Sequence, residues 1–244
     1  MKYGVKSHKG MIREINEDSC NVIFGDSKKI NAAFIVADGM GGYSAGEVAS
    51  KMAVDYISQR IESIPENLDK EELLQFIEII IQEANNTIYK KSSEPGQFYG
   101  MGTTLVIAIF LDNKIIIGHV GDSRAYMVRN GDIKQLTTDH SYVEELIKNG
   151  SLTRGEAENH PKKHVITRAL GCFEKVEADV FSYDIFGDDV FILCTDGLTN
   201  MISDDKIKKI VEEQEDPQVA CTELVEIANK SGGNDNITVV VIRV

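Results

Sequence analysis

The sequence has no tryptophan, four prolines, four cysteines, and no apolar run longer than the stretch Leu105–Leu111. A run that short is far from the roughly 20 residues a membrane-spanning helix needs, so no stable membrane insertion is expected. Basic charge is also scarce. Lys and Arg total 26 against 39 Asp and Glu, a formal net charge of −13, which repels nucleic-acid backbones and anionic bilayers alike. Cys20, Cys172, Cys194 and Cys221 form no CxxC pair, and three of them lie in apolar stretches. Free, buried thiols in a reducing compartment are the expectation. The N-terminal MKYGVKSHKG lacks the apolar centre of a signal peptide, which points to the cytoplasm.

Catalytic motifs are missing too. HExxH is absent, and His8, His119, His140, His160 and His164 share no zinc-type spacing. His119, in an apolar strand, reads as a satisfied core histidine, and His140, in TTDHS, as a loop cap or a neighbour of the site. DxD is absent, and no cysteine has an arginine six residues on. Aspartyl-phosphate enzymes and cysteine-dependent phosphatases therefore find no support, and water is the expected nucleophile.

What is present is one chain of 244 residues with 42% hydrophobic residues, enough for a sizeable core. No linker or repeat divides it, so residues 1–244 are expected to form a single domain. Strands are predicted near Tyr3–Ser7, Ser19–Gly25 and Ile30–Ala37. Helical spacing follows from Ala45, where Val48, Met52 and Tyr56 share a face, and again from Lys70 to Lys91. TTLVIAIFL and KIIIGHV then flank Asp112-Asn113, and RAYMV and DIKQL flank Arg129-Asn130-Gly131. Tight hairpins make neighbouring strands antiparallel and argue against a βαβ nucleotide fold. Residues Ser141–His164 are polar and partly helical, an excursion from the sheet. Strands near Ala178–Tyr183 and Asp189–Cys194, helices at Asp204–Glu213 and Pro217–Asn229, and a last strand NITVVVIRV complete the order. This is an α+β pattern, a sandwich of antiparallel sheets covered by helices.

FIVADGMGG, Phe34–Gly42, ends an apolar strand on Asp38 and three glycines among four residues. A tight turn, a phosphate cradle and a metal ligand compete to explain it. The turn fails because a helix follows rather than a returning strand, with Ser44 placed as its N-cap. The cradle fails because Glu47 and Val48 stand where Lys and Ser/Thr belong. The metal reading requires further carboxylates in like settings. Asp196 in VFILCTDGL, Asp122 in HVGDSR, Asp235 in GGNDN, and Glu17 with Asp18 before an early strand supply them. Singly, each is a turn or cap residue more readily than a ligand. The repeated strand–Asp–Gly arrangement, with no His or Cys, favours hard divalent cations.

Arg13, Asn16, Glu17 and Asp18 (RxxNED), ADGMGG, MGTT, GDSR, LTTDHS, TRALG, CTDGL and GGNDN, in that order from Arg13 to Thr238, resemble the metal-dependent protein phosphatases of the PP2C (PPM) family, bacterial type. The resemblance implies two packed antiparallel sheets flanked by helices (α-β-β-α), and hydrolysis of phosphoserine or phosphothreonine by a water held between two Mn²⁺ or Mg²⁺ ions. By motif, Asp38 bridges the ions, the Gly39 carbonyl binds one, and Asp196 and Asp235 hold the other. Glu17 and Asp18 act through waters, Asp122 with Asp196 matches a weaker third site, and Arg13 grips the substrate phosphate. Phosphorylated proteins, including a Ser/Thr kinase, are the implied partners, the default state is a monomer, and residues 141–164 match the family's flap. Many eukaryotic relatives carry His where this sequence has Met40, so the acid step is unassigned. A catalytically silent module and a small-phosphoester hydrolase are the alternatives.

Overall fold

The computed structural model describes residues 1–25, 30–42, 45–65 and 68–244. Strands β1 (Lys2–His8), β2 (Asp18–Phe24) and β3 (Ala32–Met40) lead into helices α1 (Ala45–Glu62) and α2 (Lys70–Ser92). Strands β4 (Gly102–Thr103), β5 (Leu105–Phe110), β6 (Lys114–Val120), β7 (Arg124–Arg129) and β8 (Asp132–Gln135) follow. Two short helices, α3 (Tyr142–Lys148) and α4 (Arg154–Ala157), occupy the predicted excursion. Strands β9 (Asp179–Asp184) and β10 (Val190–Cys194), helices α5 (Asp196–Thr199), α6 (Asp204–Glu213) and α7 (Pro217–Lys230), and strand β11 (Ile237–Arg243) finish the chain.

The strands form two antiparallel sheets, ordered β1-β11-β10-β7-β8 and β2-β3-β5-β6-β9, with β4 paired to β3. Alternation on β3 explains its unbroken apolar run. Ala32, Phe34 and Val36 face the other sheet, whereas Ala33, Ile35 and Ala37 face α1 and α2. Edge-on ring contacts from Phe34 to Phe110 (5.6 Å) and from Phe110 to Phe191 (5.4 Å) carry the core from one sheet to the other. On the opposite outer face, Ile207, Ile210, Val211, Ala220, Leu224 and Ala228 of α6 and α7 cover the β1-β11-β10-β7-β8 sheet. The helix–sheet–sheet–helix layering expected of the sequence is observed.

The hairpins β5–β6 and β7–β8 are as predicted, and Asn130 takes a left-handed φ of 52° in the second. α2 starts with a capping box in which Asp69 accepts from Glu72 N and Glu72 returns a bond to Asp69 N. Three details differ from expectation. β3 runs on through Asp38 to Met40, because β4 pairs with Gly39 and Met40 and prolongs the strand. β2 starts at Asp18, not Ser19. Cys172 is exposed, whereas Cys194 and Cys221 are buried and Cys20 half-buried; all four are free. The expected N-cap, Ser44, lies outside the described residues.

Candidate active site

The predicted carboxylates converge at one end of the sandwich. Asp18 opens β2 directly opposite Asp38 on β3, Asp122 follows β6, Asp196 follows β10, and Asp235 precedes β11. Their proximity is visible in their protonation. Burial pushes the Asp18 carboxyl up to about 7, with Asp196 and Asp235 adding repulsion against the hydrogen bonds from Thr238 and Thr195. Burial likewise lifts Asp122 to about 8, helped by Asp196 and Asp139. Asp38 is driven well above the ordinary carboxylate range by burial and then by Asp18, Asp196, Asp122 and Asp235. Asp196 is raised by burial and by Asp235, while a hydrogen bond shared with Asp38 pulls it back. Such a cluster stores repulsion that a cation relieves.

One oxygen identifies where relief is needed. Asp18 Oδ2 accepts from Thr195 Oγ1 (3.0 Å) and Thr238 Oγ1 (2.6 Å), but the buried Oδ1 has no partner among the described residues. A buried carboxylate oxygen left bare among other carboxylates, with only oxygen donors around it, suits a hard divalent cation.

The remaining predicted residues sit on the rim. Arg13 Nη2 donates to Asp235 Oδ2 at 2.9 Å and is about half exposed. Glu17 is raised by burial, against Arg13 and against the Gly46 and Glu47 amides at the start of α1. That contact supplies the anion a helix N-terminus favours. Gly39 has its own steric reason. A Cβ there would lie 2.1 Å from the Gly46 carbonyl oxygen, and one at Gly197 would lie 2.0 Å from that of Asn236. Both Asp-Gly glycines therefore allow another backbone to approach closely.

Several residues that hold the site had no assigned role in the sequence. Thr104 Oγ1 accepts from Asp38 N (2.9 Å) and bonds Ser123 Oγ (2.7 Å), while Thr103 Oγ1 donates to the Asp38 carbonyl (2.9 Å). Asn200 Nδ2 donates to Asp196 Oδ2 (2.9 Å). Buried Asn236 accepts from Glu17 N (2.7 Å) and donates to the Lys9 and Ile15 carbonyls (2.9 Å each), pinning the loop that bears Arg13 beside Asp235. The motif strings MGTT, GDSR and GGNDN contain Thr103, Thr104, Ser123 and Asn236, and Asn200 lies just past CTDGL, but nothing in them names their partners. Met40 is half-buried beside the cluster and carries no ionisable group.

A cavity of about 600 Å³ opens from Asp122 and Asp196 toward the excursion, where Glu144, Arg154 and Lys163 line it. The opposite wall is Asn200 and Ser203–Asp205. The excursion is locally self-supporting, since Ser141 caps α3 and Thr153 with Glu156 forms a capping box on α4.

Two packed antiparallel sheets with a carboxylate cluster at one end define a metal-dependent hydrolase of the sandwich type. The family profile described as Protein phosphatase 2C matches residues 5–237, and the chain belongs to that family. It is 40% identical over 237 residues to the serine/threonine phosphatase stp of Listeria monocytogenes, covering 97% of this chain and 93% of that protein. The solved serine/threonine phosphatase of S. agalactiae superposes with a TM-score of 0.93 at 34% identity, over 100% of this chain and 99% of that one. The catalytic domain of the phosphatase PstP, solved in complex with two manganese ions, gives 0.84 at 33% identity, over 98% and 96%.

Proposed function

We propose that the chain hydrolyses phosphoserine and phosphothreonine esters on proteins, with Mn²⁺ or Mg²⁺ held by its carboxylate cluster. The observation that carries this reading is the placement of Asp18, Asp38, Asp122, Asp196 and Asp235 at or near the ends of five strands, where the other four all raise Asp38 and the buried Asp18 Oδ1 has no partner among the described residues. The manganese pair in PstP supports the metal. Asp38 and the Gly39 carbonyl would hold one ion and Asp38, Asp196 and Asp235 the other, with Glu17 and Asp18 acting beside them and Asp122 with Asp196 offering a weaker third position. Ions bound there lower the pKa of adjacent water and offset phosphate charge.

The chain's own residues do the rest. Arg13 presents a planar donor fork and moves from Asp235 to phosphate oxygens. Thr195 and Thr238 fix the Asp18 carboxylate, and Asn200 orients Asp196. Met40 has no proton to give, so the leaving serine or threonine oxygen is protonated from elsewhere. The cavity under the 141–164 flap receives the substrate chain on either side of the phosphorylated residue, which makes the flap a determinant of substrate choice. The enzyme acts in the cytoplasm as a monomer and opposes a Ser/Thr kinase; no helix among the described residues is long and apolar enough to cross a membrane.

Phosphate release from a phosphothreonine peptide tests this directly. Turnover is expected with Mn²⁺ and abolished both by chelator and by Asp38→Ala. Turnover that survives either treatment overturns the reading.

A further inference from the structure

The flap leaves and rejoins the sandwich through a narrow neck. Thr167 N donates to the His140 carbonyl (2.7 Å), Tyr142 N to the Val165 carbonyl (2.8 Å), and Ser141 pairs with Ile166. Across the neck lies Gly121, the residue before Asp122, and His140 holds it twice. His140 N donates to the Gly121 carbonyl at 2.8 Å, and Gly121 N donates to His140 Nδ1 at 3.1 Å. The ring is 4% exposed, so no solvent replaces either bond.

Because Nδ1 accepts, the proton of the neutral ring sits on Nε2. Nε2 lies 3.3 Å from Asp179 Oδ2 on β9, and Arg168 Nη1 donates to Asp179 Oδ1 at 3.3 Å. The ring is thus aimed from behind. His119, paired with Asp179 in the β6–β9 register, stacks on it at 4.7 Å between ring centres. Neither nitrogen of His119 has a hydrogen-bond partner among the described residues, which corrects the expectation of a satisfied core histidine.

His119, His140 and Asp179 lie close enough together to suggest a second cation site. The Arg168 guanidinium, 3.3 Å from Asp179 and 3.4 Å from His140 Nε2, already supplies positive charge there. The trio's geometry serves orientation instead. Asp179 fixes the tautomer, and the tautomer fixes the bond to Gly121.

We propose that His140 is a positioning residue whose Nδ1 clamps the flap neck to the Asp122 turn, so that flap and carboxylate cluster keep one relative placement. Its effect on substrate rests on the phosphatase reading; the clamp itself does not. Asn places a polar atom near the Nδ1 position, Gln near Nε2, and Leu offers neither, which makes His140→Asn, His140→Gln and His140→Leu a discriminating set.

Two readouts separate the questions. Amide exchange at Gly121 in chelator-treated protein, read by NMR, is expected to stay within about threefold of the parent in His140→Asn. It should accelerate at least about tenfold in His140→Gln and His140→Leu. In Mn²⁺, KM for a phosphothreonine peptide should rise at least about fivefold in Gln and Leu, with a smaller change for p-nitrophenyl phosphate. If Leu does not fold, the Asn–Gln contrast decides. Equal exchange in Asn and Gln, or parent-like exchange in Leu, overturns the clamp. Loss of all phosphatase activity in the parent chain overturns the function and leaves the clamp standing.

Discussion

Asp18 and Asp38 stand directly opposite each other in the β2–β3 ladder, two carboxylates where a sheet ordinarily avoids like charges. The consequence is testable without any substrate. In metal-free protein at pH 8, Asp18→Asn removes one of the facing charges while its amide still meets Thr195 and Thr238. The variant should be more stable than the parent by about 1 kcal/mol, a rise in Tm of about 2–4 °C. Calorimetry in chelator reads it, and a lower Tm contradicts the stored repulsion.

The same repulsion sets a pH dependence. Asp18 and Asp122 titrate near 7 and 8 in the folded chain, above their ordinary value of 3.8. As pH rises through that interval the unfolded chain has already lost these protons while the folded chain still holds them. Folded stability therefore falls from about pH 4 to about pH 8. The Tm of metal-free protein should drop between about pH 5.5 and about pH 8.5, and saturating Mg²⁺ should flatten or reverse the trend. A flat metal-free profile counts against the cluster.

Gly39 and Gly42 belong to one motif but differ in what surrounds them. A Cβ at Gly39 collides with the Gly46 carbonyl at 2.1 Å, whereas no atom of the described residues lies within 4 Å of one at Gly42. Gly39→Ala should cost about 1–3 kcal/mol and most activity, and Gly42→Ala should be nearly neutral in both. Thermal melts with phosphopeptide assays compare the two, and equal effects contradict the close-approach explanation.

Asn236→Ala leaves Glu17 N and the Lys9 and Ile15 carbonyls without their shared partner. A loss of about 1–3 kcal/mol is expected, with a rise in KM because Arg13 lies in the loop those bonds hold. Denaturant unfolding and steady-state kinetics check both, and a variant that loses stability but keeps its KM breaks the link to Arg13.

Asp38, Asp122, Asp196 and Asp235 were legible because each interrupts or borders an apolar strand at a point where a charge has no packing role. The sandwich was legible from hairpins and from runs apolar on both faces. The supporting contacts were not. Thr195, Thr238 and Asn236 look like ordinary turn and strand residues until long-range register sets them beside Asp18 and Glu17, from which they are separated by 177, 220 and 219 positions. The extension of β3 past Ala37 was equally hidden, because it depends on a two-residue partner, β4, more than 60 residues away. His119 looked satisfied in sequence because an apolar strand says nothing of where a ring nitrogen finds a partner.

The sheet order also carries a consequence for synthesis. β1, the first strand of this sequence, has β11 as its neighbour in the sheet, and β11 is the last strand of this sequence, directly after Asp235. A growing chain on the ribosome therefore carries β1 without that neighbour, and a carboxylate cluster missing one member, until nearly all of this sequence has emerged. Asp235 and the strand that closes the sheet are therefore supplied together, at the end of this sequence.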